Sequence, residues 1–149
     1  AYEGREFKIT DPRNFTTTRR SNVIGQLRAV SDPSPGGITT YAYHPFGELA
    51  SITDAASNVT SWTYNLRGFV TGSSDPDRGS WTYVANAFGE TTGQTDAKSQ
   101  NVTFTYDKLS RALTRIEPVG TTYWTWGNSA TAKNIGQLWT ITSPGGYSE

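Results

Sequence analysis

Few residues in this sequence could carry catalytic or metal chemistry. His44 is the only histidine, and the chain contains no cysteine. Nucleophilic catalysis needs a nucleophile beside a base, and structural metal sites need several imidazole or thiolate ligands at set spacings. Neither arrangement can be assembled here, and His44 stands beside the proline and glycine of a predicted turn. We therefore predict a solvated His44 and no catalytic, metal or cofactor site, so a hydrolase function has no residue set to carry it.

The carboxylates recur singly instead of in pairs. A glycosidase would need two of them flanking one bond. An aspartate that follows a strand can instead accept a hydrogen bond from the backbone two residues on and close the strand end. We predict this capping role for a series of acids that recur about every 21 residues: Asp11, Asp32, Asp54, Asp75, Asp96 and Glu117.

Two further series keep the same period. One is a glycine, expected at a tight hairpin turn that needs positive φ. The other is a pair of aromatic residues at positions i and i+2, which leave the same face of a strand. The glycines are Gly25, Gly47, Gly68, Gly89 and Gly136, with Ser110 in the same position once. The aromatic pairs are Tyr41/Tyr43, Trp62/Tyr64, Trp81/Tyr83, Phe104/Tyr106 and Trp124/Trp126. Three series with one period predict a repeat array in which these residues have structural roles.

The composition favours β structure and excludes several classes of protein. Hydrophobic residues are only 34%, but aromatic residues are 13% and the net charge is zero. Disordered chains combine few aromatics with high charge, so disorder is disfavoured. Binding to nucleic acid or to a membrane surface would need a basic excess. We predict no nucleic-acid partner and, since no apolar run is long enough, no membrane span.

The elements that position these residues are β-hairpins. In the reference unit, residues 38–44 are predicted as a strand, 45–47 as its turn and 48–53 as the returning strand. The fold class is therefore an all-β array of antiparallel hairpin repeats of about 21 residues, forming a curved strip. We interpret residues 1–149 as a single array and as a fragment of a longer chain. Its two exposed sheet edges would promote association.

Three details of the array are predicted from local patterns. Phe7 and Ile9 alternate with polar residues, which is typical of a strand with one buried face. The units ending near Asp32 and Ser143 are predicted to share a longer hairpin loop. The unit containing Trp81 and Tyr83 is predicted to have two extra residues before its turn.

The repeat unit resembles the YD-repeat, or RHS-repeat, family. The loose consensus of that family is tyrosine-aspartate, two variable residues, glycine, arginine and an apolar residue, followed by a Thr-Asp-Pro-Gly-like stretch. Residues 106–111 match it best, with Ser110 in place of glycine. Residues 43–49 and 64–70 keep the tyrosine and glycine but replace the aspartate and arginine. The resemblance covers nearly the whole chain.

The resemblance implies a function as well as a fold. Such repeats build a long β-strip that spirals into a hollow shell, which in bacterial polymorphic toxins and insecticidal toxin complexes encloses a C-terminal toxin segment. It implies a non-enzymatic shell segment that is secreted or displayed at the cell surface. The implied partners are the remainder of the shell or further copies of the chain, and an enclosed toxin or other cargo. The self-cleaving Asp-Pro-x-Gly-like segment of the family is not matched, so autoproteolysis is not predicted.

The alternative interpretation is a carbohydrate-binding surface module. Aromatic rings on an exposed sheet face could stack on sugars, and some descriptions of the family mention carbohydrate binding. Packing between neighbouring hairpins is the favoured interpretation, because aromatic side chains contribute strongly to burial. The candidate stacking residues are Trp62, Trp81, Trp124 and Trp126.

Overall fold

The structure is a computed structural model that describes residues 4–33 and 36–146. Within these residues the regular elements are thirteen β-strands, and each strand forms antiparallel pairs. No helix in the described part is long and apolar enough to cross a membrane. These observations confirm the predicted all-β fold of antiparallel hairpins.

The strands belong to two compact units, Ala1–Gly79 and Ser80–Glu149. Within each unit the strands are neighbours in chain order. The first unit contains β1 (Glu6–Thr10), β2 (Thr16–Ser21), β3 (Leu27–Asp32), β4 (Gly37–Tyr43), β5 (Leu49–Thr53), β6 (Val59–Tyr64) and β7 (Val70–Asp75). The second contains all but the first residue of β8 (Gly79–Ala85), together with β9 (Thr91–Thr95), β10 (Asn101–Tyr106), β11 (Ala112–Glu117), β12 (Gly120–Trp126) and β13 (Leu138–Thr142).

A tight turn with a bulge closes most of the hairpins. In the β4–β5 hairpin, the His44 amide donates to the Glu48 carbonyl at 2.8 Å and the Gly47 amide donates to the His44 carbonyl at 3.0 Å. Gly47 has a φ of 102°, and the pairing shifts by one residue between Ala42 and Tyr43. This is a type I turn followed by a left-handed residue that forms a bulge. The same pattern closes the turns 22–26, 65–69, 86–90 and 107–111, which with 44–48 we call the glycine turns.

The prediction of a longer loop is correct for one hairpin and wrong for the other. The connection 127–137 between β12 and β13 is indeed longer, and Gly127 donates to the Gln137 carbonyl at its base. Residues 16–21, in contrast, are a strand, and the turn that follows at 22–26 is an ordinary glycine turn. The longer loop was predicted by counting from Phe15 to Gly25, but Phe15 is the last residue of the preceding turn, 11–15.

The unit around β8 has no extra residues before its turn. β8 extends to Ala85, which pairs with Thr91 as Tyr43 pairs with Leu49 in the β4–β5 hairpin. The prediction counted from the aromatic pair, and that pair is displaced toward the start of the strand.

The sheet has almost no enclosed core. Among the described residues only Gly93, Val102 and Asn134 are buried. The predicted buried face of β1 is absent, because Phe7 and Ile9 are 63% and 46% exposed. Since hairpins alone are marginally stable, contacts between successive hairpins must supply much of the stability.

Ser110 holds the left-handed position of its turn, with a φ of 61°, where the other glycine turns have glycine. The left-handed backbone conformation costs a residue with a side chain about 1–2 kcal/mol. Glycine avoids this cost, but its greater conformational entropy in the unfolded state offsets part of the gain in stability. We expect Ser110→Gly to raise the free energy of unfolding by up to about 1 kcal/mol. Gly89→Ser, at the same position of another turn, should lower it by a similar amount in urea denaturation. Two shifts of the same sign would contradict this explanation.

Candidate functional site: an aromatic ladder

In both units, the last residue of several outgoing strands carries a ring that reaches back to the previous hairpin. In the first unit, the Tyr43 hydroxyl donates to the Leu27 carbonyl at 2.9 Å. The Tyr64 hydroxyl donates to the Leu49 carbonyl, also at 2.9 Å. Each of these bonds joins one hairpin to the next.

The second unit repeats the arrangement. The Tyr106 hydroxyl donates to the Thr91 carbonyl at 2.7 Å. The indole N–H of Trp126 takes the place of a hydroxyl before the longer connection and donates to the Ala112 carbonyl at 2.8 Å. We call Tyr43, Tyr64, Tyr106 and Trp126 the aromatic ladder.

The acceptor carbonyls of the aromatic ladder share a backbone position. Leu27, Leu49, Thr91 and Ala112 are each the first residue of a returning strand, at the point where a bulge shifts the register. A bulge locally disrupts the regular bonds between strands. The ladder rings therefore bind backbone carbonyls at the bulges that accompany these turns.

The environment keeps Tyr64 and Tyr106 of the ladder protonated. Burial raises the pKa of Tyr64 above its ordinary value, and the negative charge of Glu48 raises it further. Burial and the charge of Glu90 act on the pKa of Tyr106 in the same direction. Both hydroxyls therefore remain hydrogen-bond donors throughout the neutral pH range.

A second row of half-buried rings lies two residues before the ladder, on the same face of the sheet. It consists of Tyr41, Trp62, Tyr83, Phe104 and Trp124. The predicted pair Trp81/Tyr83 is therefore misplaced by one step relative to the other pairs. Tyr83 occupies the second row, Trp81 lies two residues further from the turn, and Ala85 takes the ladder position. The Trp81 and Tyr83 rings stack, with centroids 6.5 Å apart.

The aspartate and arginine of the family consensus act together in the turn 107–111. Asp107 accepts hydrogen bonds from the amides of Leu109 and Arg111, which closes the turn. It also forms an ion pair with the Arg111 guanidinium at 2.5 Å. That guanidinium lies 4.9 Å from the centroid of the Trp126 ring, a cation–π distance. Asp107 thus positions a cation over a ladder residue of the next hairpin.

His44 is half-buried, and the prediction that it is a freely solvated residue is wrong. Its ring packs edge-on against Tyr64, with centroids 5.6 Å apart, and its Nε2 lies 3.3 Å from the Trp62 carbonyl oxygen. These contacts give His44 a packing role beside the ladder. No group of three or more histidine, cysteine, aspartate or glutamate residues in the described ranges could hold a metal ion.

Several acids of the predicted series close the turns at the opposite ends of the hairpins. The Asp54 carboxylate accepts from the amides of Ala56 and Asn58, both at 2.8 Å. Asp11 and Asp96 make the same two contacts in their own turns. We call 11–15, 54–58 and 96–100 the acid turns.

The other acids of the series depart from this pattern. Asp75 accepts from the amides of Asp77 and Arg78 at 3.0 Å. Glu117 instead accepts from the Arg115 guanidinium at 2.7 Å. The backbone amide two residues after Asp32 belongs to residue 34, which lies outside the described residues, as do residues 35 and 147–149 of the predicted loop and last unit.

The sequence prediction missed a set of asparagines. Asn22, Asn65 and Asn86 each begin a glycine turn, and each side-chain oxygen accepts from the amides two and four residues on. Their spacing could have indicated this role, because each asparagine lies three residues before the turn glycine.

We expect acid to destabilise the fold through these carboxylates. Hydrogen bonds from Asn58 lower the pKa of Asp54, a bond from the Phe15 amide lowers that of Asp11, and Arg111 lowers that of Asp107. A carboxylate whose pKa is lower in the folded state stabilises the fold above its unfolded pKa, and this is lost as pH falls through the folded pKa. The urea midpoint should stay level from neutral pH to about pH 5 and fall below about pH 4.

Asp54→Asn serves as the control for this pH dependence. It should lower stability at neutral pH and flatten the loss in acid, because one of the titrating groups is removed. A urea midpoint that rises on acidification would contradict the prediction.

The four tryptophans proposed as sugar-stacking residues are half-buried on the ladder face. Trp126 uses its N–H within the ladder, and Trp81 stacks on Tyr83. Trp139, which the sequence analysis did not consider, is 59% exposed. Packing accounts for Trp81 and Trp126, and no comparison with known proteins supports carbohydrate binding.

The ladder can be compared with known families. Residues 43–80 match the RHS repeat family, and this stretch contains the ladder residues Tyr43 and Tyr64 with the hairpin between them. Residues 43–80 therefore contain an RHS repeat. The resemblance found in the sequence is thereby confirmed. Among curated proteins, no sequence matches this chain.

Several solved structures are similar to this chain in fold, among them TcdB2-TccC3 and a Tc holotoxin pore. TcdB2-TccC3 without its hypervariable C-terminal region has a TM-score of 0.71 at 18% identity, over 87% of this chain and 8% of that one. A mutant Photorhabdus luminescens Tc holotoxin pore has a TM-score of 0.70 at 18% identity, over 89% of this chain and 8% of that one. TcdB2-TccC3-TEV has a TM-score of 0.72 at 18% identity, over 87% of this chain and 8% of that one. At this identity the likeness shows the fold alone, and the chain spans about 8% of the length of these toxin chains.

Proposed function

We propose that this chain is a non-enzymatic wall segment of an RHS-type shell that encloses a toxin or other cargo. The observation that carries the proposal is the likeness of its fold to TcdB2-TccC3 over 87% of the chain. The resemblance of the repeats to shell-forming proteins adds to it. Under this proposal the 149 residues contribute a short length of a much longer strip.

The contacts of the recurring residues favour a structural role over catalysis. The ladder hydroxyls bind backbone carbonyls of the previous hairpin, as Tyr64 does with Leu49. The carboxylates of the acid turns bind backbone amides, as Asp54 does with Asn58. The polar groups of these side chains therefore bind the backbone of the strip and stabilise it.

The partners under this proposal are the rest of the shell and the enclosed cargo. A continuous wall needs further hairpins beside the two ends of this segment, where β1 and β13 each lie at the end of the strand order. The likeness to a Photorhabdus luminescens Tc holotoxin pore supports a secreted or cell-surface toxin assembly. The cargo would be the part of the protein that the wall separates from solvent.

Protease protection of the natural protein tests this function. We expect any segment held inside the wall to be cleaved at least about tenfold more slowly in the intact protein than after mild heat denaturation. A double variant with Tyr64→Ala and Tyr106→Ala removes one ladder bond in each unit. It should shorten the time for which the enclosed segment is protected from cleavage. Control digestion of Tyr123→Ala, whose side chain is exposed, should match the natural protein. Equal cleavage before and after denaturation would overturn the proposal.

A further inference from the structure

The two ends of the hairpins expose different kinds of side chain. At the glycine turns of the first unit, Phe46 is 91% exposed and Leu66 is fully exposed. At the acid turns, the corresponding tips carry small or charged residues, such as Ala56 and Arg13, which are also exposed. Large apolar side chains left in water at one end of successive hairpins are typical of an interaction surface.

A groove separates the two apolar tips of the first unit. Its volume is about 540 Å³, and it lies between the turns 44–48 and 65–69. Phe46 and Leu66 line it together with the packed rings of His44 and Tyr64. The contact between those two rings gives the groove a firm wall. The groove is therefore suited to receive an apolar side chain.

Opposite charges flank this groove. Glu48, on the first turn, and Arg67, on the second, both line it. The first turn thus presents an aromatic ring with an acid, and the second presents a leucine with a base. A surface with this order is complementary to a copy of itself turned by a two-fold rotation.

The second unit contains the same kinds of residue, with the leucine and the base in exchanged positions of their turn. A groove of about 310 Å³ lies between the turns 86–90 and 107–111. Phe88 and Leu109 are 86% and 72% exposed at its tips, and Glu90 and Lys108 line it. The recurrence shows that the pairing of tip residues with charges follows the repeat.

We propose that the turns 44–48 and 65–69 dock onto the same two turns of a second copy of the chain. The two-fold rotation brings Phe46 against Leu66 of the partner subunit and Glu48 toward Arg67 of the partner subunit. Each apolar tip then packs against the facing tip at the rim of the groove. This contact is separate from pairing through the sheet edges β1 and β13, and it does not depend on the shell function.

The contact is weak for a single pair of turns. An aromatic side chain buries about 150–250 Å², so two tips from each copy give an interface below the roughly 1,200–2,000 Å² of stable complexes. Disulfide trapping suits such a contact, and the chain has no cysteine to interfere.

The test uses three single-cysteine variants: Phe46→Cys, Leu66→Cys and, as the control on an acid turn, Ala56→Cys. Under mild oxidation, a mixture of Phe46→Cys and Leu66→Cys should form mixed disulfide dimers at least about fivefold faster than either variant alone. Ala56→Cys should form dimers only at the slow background rate. Equal rates for all three variants, or faster dimers from one variant alone, would overturn the proposal.

Sedimentation of cysteine-free variants separates this contact from edge pairing. Leu66→Ser should weaken self-association of the chain at least about tenfold, because it removes the central apolar tip. Ile9→Lys, which places a charge on the exposed strand β1, should leave that self-association unchanged. The opposite result, with Ile9→Lys abolishing association and Leu66→Ser leaving it intact, would overturn the proposal and leave the shell function untouched.

Discussion

Tyr64→Ala is expected to lower the free energy of unfolding by about 2–4 kcal/mol, a loss in the range of large-to-small substitutions in packed sites. The change removes a half-buried ring and its bond to the Leu49 carbonyl, and it also takes away the surface against which His44 packs. Because the sheet has almost no enclosed core, few other contacts can compensate. Urea denaturation followed by tryptophan fluorescence measures the effect.

Two variants separate the causes of this loss. Tyr64→Phe keeps the ring and removes only the hydroxyl, so it should cost about 1 kcal/mol, the usual net value of one hydrogen bond. Tyr123→Ala removes a tyrosine that is 53% exposed on the opposite face and should cost less than Tyr64→Ala. If Tyr64→Phe has no effect and the two alanine variants are equally stable, the aromatic ladder does not join the hairpins.

Gly127→Ala is expected to destabilise the second unit by about 2–3 kcal/mol, in the upper range for forced overpacking. A Cβ on Gly127 would lie 2.1 Å from the Asn134 carbonyl oxygen and 2.6 Å from the Asn134 Cγ. Asn134 is one of the few buried residues, and its side-chain oxygen accepts from the Ser129 amide at 2.9 Å. The backbone at the base of the connection 127–137 would therefore have to move.

Gly145→Ala is the matched control, because a Cβ there meets nothing within 4 Å. Its effect should stay within about 0.5 kcal/mol, as for other open surface sites. Thermal unfolding of the two variants beside the natural chain measures the difference. Equal melting temperatures for both variants would show that the connection 127–137 tolerates the added methyl group and that Asn134 does not fix its shape.

The hairpins were predictable because three kinds of residue mark each one independently. In the β4–β5 hairpin, Tyr41 and Tyr43 share a face, Gly47 adopts positive φ and Asp54 closes the following turn. Alternation, turn chemistry and capping are local properties, so they can be recognised without knowledge of the pairing. In this hairpin the strand ends were accordingly predicted to within about one residue.

The ladder bonds could not be predicted in the same way. Tyr64 and its acceptor Leu49 are far apart in sequence, and the acceptor is fixed by the bulge in the preceding hairpin. The displaced pair Trp81/Tyr83 has a related origin, since counting back from Gly89 would have placed Ala85 in the ladder position. The exposure of Phe7 was also unpredictable, because alternation shows which residues share a face but not what covers it.

An electron cryo-microscopy map of the natural protein distinguishes a shell wall from a separate module, because it shows what lies on each side of this segment. The shell account predicts that the hairpins of residues 4–146 form part of a continuous wall, with further hairpins beside β1 and β13 and an enclosed cavity on one side. A map in which the segment stands as a separate module, with solvent on both faces and no neighbouring hairpins, would contradict it.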